Sequence, residues 1–590
     1  MTTASPPSSP DIAAWPPLEP HREDAGRALF DWAVTADASL PPLCLLRGGQ
    51  ASGKSHLLAW FLAGSASHAR TMVHATVPAA GLITEALAWG MSRQLGYGPL
   101  TPHRLLDRIA ADHRPMLLVV PDLHLAGRGP SGEPSAQPQT IIDELLAPLM
   151  QFPHVRAIVE TGSTDLLDTA NSHLIDLGEA PHLGAGSEDA FRADFSSLLA
   201  AVARTPDGRL LWNQAPPRTR EHVLDAALDE VDDDTAVRTL LADPGFLIHG
   251  SATAITATLN SPAVITPAGL RRIWGRVAPH LSSNEHSDTE RAALLHAAAL
   301  ATSPTLSEYL RPLAEQHHWT AMWAQHDAPT ATQCQMTEAG DQLLVADALG
   351  RLHLHRLTTG NRTGMVSSPA AIRPSAIAAA GPDALLLLDE TGPLHPLTSD
   401  EEGAAATVLG HIASHHDQTQ LTSDASRTTA LGSCPQSSLA VVGDATGAVH
   451  LWSLAEYRPM PQSCRPHTVP VTAVTCLRLP EEDLSLVISA AFDGSIRLWE
   501  TSQDPMEEPV DQRPALVTAL AAAETPVGIL IAAAWNDAEL HLWHLTSGKV
   551  QTLPLLYRCN ALTLSSAGQL TIGGPDGLHG IRLDLDRLWD

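Results

Sequence analysis

Residues 444–454 read DATGAVHLWSL, and residues 493–500 read DGSIRLWE. Each stretch starts at an Asp, passes a Gly and then alternates apolar and polar side chains up to a Trp. This pattern is typical of a tight turn followed by a strand with one buried face. Gly447 and Gly494 allow the positive φ angle that such a turn requires. Similar stretches start at Asp347, Asp389, Asn536 and Asp576, so the sequence contains six of these units.

The spacing of the units predicts an all-β propeller. Trp452, Trp499 and Trp543 occupy the same position in three of them, at intervals of 47 and 44 residues, close to the ~40–45 residues of a four-stranded blade. The other three units have His355, Leu397 and Arg582 at this position. We therefore expect six blades, three of them divergent, with a degenerate seventh blade or an incomplete ring as the alternative.

This C-terminal region resembles the WD-repeat β-propellers. The fourth unit matches best, because it has His467, Ser489, Asp493 and Trp499 in the order that the family uses. The resemblance implies that these four side chains form a hydrogen-bonded chain that braces a blade, so their role is structural. Propellers expose loops and a broad rim, which predicts a protein partner bound through this region.

A second motif points to a phosphate site. Residues 48–55 read GGQASGKS and fit the pattern G-x-x-x-x-G-K-[ST], between the apolar run PLCLLR and the helical stretch HLLAWFLAG. The glycines let backbone N–H groups surround a phosphate, the lysine reaches the outer phosphates and the serine can ligate Mg²⁺. The sequence thus predicts a site for ATP and Mg²⁺ formed by Gly48, Gly49, Gln50, Ala51, Ser52, Gly53, Lys54, Ser55 and His56. A Gly-rich turn that binds nothing, or a decayed loop, is the alternative.

Lysine is rare in this chain, which strengthens the prediction. Lys54 and Lys549 are the only two lysines, and Arg fills the other basic positions. The planar fork of arginine is a poor substitute for a compact ammonium group inside such a loop. A lysine at this position therefore favours a functional phosphate site.

The second Mg²⁺ ligand is predicted at Asp122, just beyond the apolar run at residues 116–120. A plain strand-end cap is the alternative role for this residue. The residues that follow, Leu123, His124 and Leu125, provide no carboxylate to polarise an attacking water. We therefore expect ATP hydrolysis to be slow at most.

Residues 20–185 resemble the signal-transduction ATPases with numerous domains (STAND), the group of P-loop NTPases that includes the NACHT-type and apoptotic ATPases. Besides the loop, the resemblance rests on PHREDAGRALFDW ahead of it, and on RPMLLVVPDL and HVRAIVETGS after it. It implies a nucleotide sensor near the last stretch, where Thr161 is the candidate. Gly162 and Ser163 stand where relatives usually have an Arg, so the sensor departs from the family pattern.

The sequence divides into four regions. A Pro-rich lead covers residues 1–20, and an α/β P-loop NTPase domain covers 21–185, where apolar runs alternate with helical stretches as in a parallel sheet. Residues 186–325 have apolar side chains at helical spacing and predict a helical connector domain. Residues 326–590 form the predicted propeller, so the fold class is multidomain.

The chain is strongly acidic, with 36 Lys and Arg against 65 Asp and Glu and a formal net charge of −29. The electrostatic field of this net negative charge repels nucleic-acid backbones and anionic lipids, so neither a nucleic-acid nor a membrane partner is expected. The longest apolar runs are far shorter than the ~20 residues that cross a bilayer. The opening MTTASPPSSPDIAAWPP lacks the pattern of a secretion signal, and six cysteines without a C-x-x-C pair fit a reducing cytoplasm.

These observations favour a cytoplasmic regulatory switch, in which ATP binding controls conformation or homo-oligomer assembly and the propeller binds a protein partner or ligand. The alternative is a constitutive WD-repeat scaffold with a degenerate, non-hydrolysing ATPase domain. A fast metabolic or nucleic-acid-remodelling enzyme is disfavoured, because both the catalytic carboxylate and a basic surface are missing from the sequence.

Overall fold

A computed structural model describes residues 12, 15–18, 20–35, 40–66, 68, 70–127, 135–163, 166–167, 171–178, 194–229, 235–262, 264–281, 286–325, 329–335, 342–368, 372–381, 384–400, 402–422, 426–434, 438–479 and 484–589. The chain divides into two compact units. Met1–Arg271 and Ala278–Asn284 form the first unit, whereas Arg272–Val277 and Glu285–Asp590 form the second. Each unit is described by itself.

The first unit contains a parallel five-stranded sheet. Its strands are β1 (Leu43–Arg47), β2 (Ala75–Thr76), β3 (Met116–Val120), β4 (Val155–Glu160) and β5 (His173–Asp176), in the spatial order β2-β3-β4-β1-β5. Every residue of β3 is buried, which explains its continuous apolar run, because a parallel strand is covered on both faces.

Helices cover both faces of this sheet. They are α1 (Glu23–Val34), α2 (Lys54–Ser65), α3 (Thr84–Gln94), α4 (Pro102–Ala111), α5 (Gln137–Ile141) and α6 (Ala147–Leu149), the last two joined by a π-helical turn, Ile142–Leu146. Met116, Leu118 and Val120 pack in one apolar core with α3 to α5, whereas Leu117 and Val119 pack in another with α1 and α2. The alternation along β3 therefore divides the core into two layers.

Along the chain, the described residues that follow the sheet and precede the propeller also form helices. They are α7 (Phe195–Ala200), α8 (Pro217–Leu228), α9 (Thr235–Ala242), α10 (Pro244–His249), α11 (Ala252–Asn260), α12 (Leu270–Val277), α13 (Asp288–Ala299) and α14 (Pro304–Ala314). Asp194, Asp243, Ser251 and Ser287 start four of them by accepting hydrogen bonds from first-turn N–H groups.

The second unit contains six antiparallel sheets. Blade 1 consists of β7 (Pro329–Gln335), β8 (Gln342–Asp347), β9 (Leu352–Arg356) and β10 (Arg362–Val366), and blade 2 of β11 (Pro374–Gly381), β12 (Ala384–Asp389) and β13 (Leu394–Thr398). Blade 3 consists of β14 (Thr428–Cys434), β15 (Leu439–Asp444), β16 (Val449–Ser453) and β17 (Gln462–Cys464), and blade 4 of β18 (Val471–Arg478), β19 (Ser485–Ala491), β20 (Ser495–Glu500) and β21 (Asp511–Gln512). Blade 5 consists of β22 (Val517–Thr525), β23 (Gly528–Trp535), β24 (Glu539–His544) and β25 (Val550–Pro554).

Blade 6 closes the ring. It consists of β26 (Ala561–Leu564), β27 (Gln569–Gly574), β28 (Gly577–Leu583) and, as its fourth strand, β6 (Trp319–Gln325), which pairs with β28. The first strands of neighbouring blades pack together all the way round, including β26 against β7. The expected six-bladed propeller is therefore confirmed, with the ring closed in the described part of the chain.

Trp323 of β6 lies where the ring closes. Its side chain is buried, and Nε1 donates a hydrogen bond to the Leu357 carbonyl of blade 1 at 2.9 Å. Gly360 of blade 1 and Gly580 of blade 6 face the indole, and a Cβ on either residue would collide with it. β6 lies within residues 186–325, the range predicted as the helical connector. It nevertheless belongs to the propeller, because its pairing with β28 joins the two ends of the repeat region.

Among the described residues, blade 2 has three strands, and a helix takes the place next to its last one. This helix, α15 (Ala404–Thr422), packs against β13. Val408, Leu409 and Ile412 share an apolar core with blades 2 and 3.

A hydrogen bond also connects α15 to blade 3, because Trp452 Nε1 donates to His416 Nε2 at 3.0 Å. Burial, reinforced by neighbouring histidines, lowers the pKa of His416 to about 3, so the ring stays neutral and keeps accepting this bond.

Candidate functional site

The loop at residues 48–53 joins the end of β1 to the start of α2. Gly53 has a φ of 96° and Ala51 a φ of 59°, so the chain passes through left-handed backbone conformations just before the helix begins. Leu57 N–H then donates to the Gly53 carbonyl, which starts α2 at this glycine. The structure thus places the predicted phosphate motif at a strand-to-helix junction.

The Lys54 ammonium group is enclosed by the loop. Its Nζ donates hydrogen bonds to the carbonyls of Gly48 at 2.7 Å and Gly49 at 2.8 Å, and the residue is 7% exposed. Gln50, Ala51, Ser55 and His56 are exposed, whereas Gly48 and Gly49 are buried and Ser52 and Gly53 are half-buried. The predicted residues therefore form one continuous segment in which Gln50 and Ala51 are exposed and the Lys54 ammonium group is buried.

The parallel sheet brings other polar side chains to this loop. Leu46 of β1 lies level with Glu160 of β4, and Thr161 N–H donates to the Leu46 carbonyl at 2.9 Å. Asp122 follows β3 at the same edge of the sheet, because the carboxyl ends of parallel strands meet there. Its backbone is left-handed, with a φ of 56°. The two predicted residues outside the loop, Asp122 and Thr161, thus lie with Glu160 at the edge where β1 ends.

Glu160 is a site residue that the sequence analysis missed. It is 2% exposed, and its Oε1 lies 3.9 Å from Lys54 Nζ. Burial, together with the negative charge of Asp122, raises the pKa of Glu160 to about 7, while Lys54 opposes this shift. A sequence signal for Glu160 exists, because it is a carboxylate at the end of an apolar run, as Asp122 is just beyond another.

Three buried oxygens at this edge have no hydrogen-bond partner in the described structure. They are Ser52 Oγ, Thr161 Oγ1 and Glu160 Oε2. Unpaired buried polar atoms are rare in folded proteins because each costs free energy. The loop and the end of β4 thus contain polar groups suited to a further ligand.

Arg22 is a second cation at the loop that the sequence analysis did not single out. It lies directly before α1, and its guanidinium group is so close to Gly53 that a Cβ there would collide with it. Gly162 is similarly confined, because a Cβ at this position would lie 2.8 Å from the ring of His124. A side chain at this position would therefore require the His124 ring to move.

Blade 4 contains the predicted bracing residues. His467 Nε2 is hydrogen-bonded to Ser489 Oγ at 2.9 Å, and His467 Nδ1 to Ser495 Oγ at 3.2 Å. Ser495 Oγ in turn donates to Asp493 Oδ1 at 2.6 Å. Trp499 Nε1 donates to the Gln503 carbonyl instead. His467 is therefore bonded directly to Ser489 and is linked to Asp493 through Ser495, whereas Trp499 makes a separate bond.

Two features are absent from the described residues. No helix among them is both long and apolar enough to cross a membrane. No group of three or more His, Cys, Asp or Glu side chains among them is arranged to hold a metal ion.

No protein-family model matches the sequence, and no curated protein matches it. Similar solved structures include "Structure of U3-55K" and "Crystal structure of RRP9 WD40 repeats", each 14% identical with a TM-score of 0.29, over 45% of this chain and 98% and 97% of those chains respectively. The computationally designed Ika8 protein is 16% identical with a TM-score of 0.27, over 45% of this chain and 73% of that one.

The C-terminal region is a WD40-like six-bladed β-propeller. This conclusion rests on the closed ring of six sheets and on the repeated Asp-containing turns between their second and third strands. In blade 1, for example, Asp347 Oδ1 accepts hydrogen bonds from the N–H groups of Leu349 and Arg351. The turn residues of the propeller therefore serve its structure.

Proposed function

We propose that this protein is an ATP-binding regulatory switch, in which the first unit binds nucleotide at residues 48–56 and the propeller binds a protein partner. The observation that carries the nucleotide part is the enclosed Lys54 ammonium group at a strand-to-helix junction. Backbone N–H groups at a helix N-terminus favour a phosphate there, even on a chain with a net charge of −29. The unpaired Ser52 and Thr161 hydroxyls support the same assignment.

Ser55 at the start of α2 and Asp122 at the sheet edge supply oxygen ligands for Mg²⁺ beside the phosphate loop. Ser55 and Asp122 would hold the ion, because hydroxyl and carboxylate oxygens are the ligands that Mg²⁺ prefers. Bound Mg²⁺ supplies charge neutralisation for the phosphates. Arg22 adds a second positive charge beside Gly53. Glu160 provides the carboxylate that is missing after Asp122, so it is our candidate for orienting water in a slow hydrolysis.

The partner part of the proposal rests on the propeller, whose loops and rim offer a broad binding surface. A switch further requires that nucleotide bind one conformation of the protein better than another, since equal affinity shifts no equilibrium. We propose that the favoured conformation differs in homo-oligomer assembly or in affinity for the partner.

Titration calorimetry with ATP and Mg²⁺ tests the nucleotide part. We expect Lys54→Ala to weaken ATP binding at least 100-fold, because the ammonium group that contacts the outer phosphates is lost. Lys549→Ala is the matched control, since it removes the only other lysine and should leave the affinity unchanged. Circular dichroism should show that both variants stay folded. Equal ATP affinity in Lys54→Ala and wild type would refute the nucleotide site.

One observation favours a constitutive scaffold as a second candidate. Residues 123–125 contain no carboxylate, so the site departs from that of a complete ATPase. Light scattering with and without ATP and Mg²⁺ separates the two functions. A nucleotide-dependent change in mass supports the switch, whereas an unchanged mass together with unchanged partner affinity supports the scaffold.

A further inference from the structure

Two neighbouring connections on the propeller form an unusual surface. Residues 456–462 lead into β17 of blade 3, and residues 501–510 lead into β21 of blade 4. Gln462 Nε2 donates a hydrogen bond to the Thr501 carbonyl, which brings the two connections together. We refer to residues 456–462 and 501–510 as the rim surface.

The rim surface exposes four large apolar side chains. Tyr457 is 57% exposed, Met460 64%, Met506 50% and Val510 48%. The described residues of the propeller contain eight large apolar side chains with such exposure, so half of them lie on these two connections. A concentration of this kind is typical of a binding surface, whereas single exposed apolar residues are ordinary.

The backbone beneath these side chains is held in place. Met506 N–H donates to the Leu498 carbonyl at 3.2 Å, and Val510 N–H to the Ile496 carbonyl at 2.8 Å, so this connection follows β20. On the other connection, the Tyr457 ring packs 4.7 Å from the ring of His411 of α15. The apolar side chains are therefore presented by an ordered backbone.

Acidic residues are interspersed in sequence with the apolar side chains of the rim surface. Glu456, Asp504, Glu507 and Glu508 are exposed on the rim surface, against one exposed cation, Arg458. The nearby guanidinium group of Arg497 donates to the carbonyls of Met506 and Glu507, so it is engaged with the backbone. The rim surface thus combines flexible methionine side chains, which adapt to varied apolar partners, with a carboxylate border.

We propose that the rim surface binds a positively charged amphipathic helix of a partner protein. An apolar helix face would contact Tyr457, Met460 and Met506, and flanking Lys or Arg side chains would pair with the surrounding carboxylates. This inference rests on the proposed function, in which the propeller binds a protein, and adds where on the propeller the partner binds and what chemistry it has.

A synthetic peptide of ~18 residues, with Leu and Lys at helical spacing, serves as the probe. We expect the full-length protein to bind the fluorescein-labelled peptide with a Kd of ~1–100 μM at physiological salt, measured by fluorescence anisotropy. The double variant Met460→Ser/Met506→Ser should weaken binding at least 10-fold. Met365→Ser is the matched control, because Met365 is 59% exposed on blade 1, away from the rim surface, and should bind the peptide as wild type does.

The charge border is tested separately. Glu507→Gln/Glu508→Gln should weaken binding about 3- to 10-fold and reduce its salt dependence, because two carboxylates no longer attract the lysines. A Leu and Glu peptide with the same spacing should bind at least 10-fold more weakly than the Leu and Lys peptide. Equal binding of the two peptides would overturn the charge assignment.

Two further results would overturn the proposal. The first is equal binding of a scrambled Leu and Lys peptide that has no apolar face. Peptide binding would then reflect general attraction by an acidic chain and not recognition of an amphipathic helix. Equal affinity of the Leu and Lys peptide for wild type and Met460→Ser/Met506→Ser would place its binding site elsewhere on the protein, yet would leave the proposed protein-binding function intact. Failure of the nucleotide part is measured independently by the Lys54→Ala calorimetry.

Discussion

Glu160 shows what single residues contribute to the candidate site. The chain places it 106 positions after Lys54, and only the parallel pairing of β1 with β4 brings the two side chains within 3.9 Å. The motif at residues 48–55 could be recognised from sequence because its chemistry lies in consecutive positions. Glu160 could be singled out only as a polar residue at the end of an apolar run, because its proximity to Lys54 depends on strand register. Arg22 could not be recognised, since its proximity to the loop depends on how the chain enters α1.

Glu160→Gln should stabilise the nucleotide-free protein at pH 8. The folded pKa of about 7 lies above the ordinary value of 4.5. Wild type therefore loses stability, relative to the variant, as the pH rises from 4.5 through 7, because the unfolded chain gives up this proton first. We expect a difference in unfolding free energy on the order of 1–3 kcal/mol at pH 8 and a much smaller one near pH 4.5.

Urea unfolding at the two pH values measures this difference. Glu144→Gln is the control, because Glu144 is exposed in the same unit and its replacement should have little effect at either pH. A Glu160→Gln variant with the same advantage at pH 4.5 and pH 8 would contradict the assignment of a raised pKa to this carboxyl group.

At the scale of elements, we expect the closing strand β6 to contribute strongly to the stability of the ring. Trp323 is 6% exposed and fits between Gly360 of blade 1 and Gly580 of blade 6. Trp323→Ala should lower the free energy of unfolding of the propeller by about 3–5 kcal/mol, because it leaves a cavity and removes the bond to the Leu357 carbonyl.

Denaturant unfolding, followed by tryptophan fluorescence and circular dichroism, measures the loss. Gln325→Ala provides the comparison, since it changes a half-buried polar residue on the same strand and should cost under 1 kcal/mol. A Trp323→Ala variant as stable as Gln325→Ala would show that the ring does not depend on this side chain.

The elements differ in how far sequence could predict them. The strands around Gly447 and Gly494 could be predicted because a tight turn and an alternating strand are local features. Two elements could not be. β6 lacks the Asp and Gly turn of the repeats, and α15 takes the place beside β13 where a fourth strand was expected. β6 depends on pairing with β28 at the far end of the repeat region, and α15 depends on packing against blades 2 and 3; periodicity records neither contact.

At the scale of the whole molecule, two compact units predict two unfolding transitions. ATP with Mg²⁺ should stabilise only the unit that contains residues 48–56, by about 2.7 kcal/mol when the ligand is at 100 times its Kd. Differential scanning calorimetry should therefore show one midpoint rising with ATP concentration while the other stays fixed.

The lysine variants test this coupling. Lys54→Ala should remove the ATP-dependent rise, whereas Lys549→Ala should keep it. An ATP effect of equal size on both transitions, or one that persists in Lys54→Ala, would mean that nucleotide acts somewhere other than the loop.

The scarcity of lysine also allows opening of the loop to be followed by chemical labelling. An amine-acylating reagent finds two side-chain targets in this protein, an exposed one at Lys549 and an enclosed one at Lys54. Lys549 therefore reports the reagent dose, and the degree of modification at Lys54 reports how often the loop opens. The ratio of the two labelled peptides in a mass spectrum would follow opening of the loop in the unmutated protein, without any engineered probe.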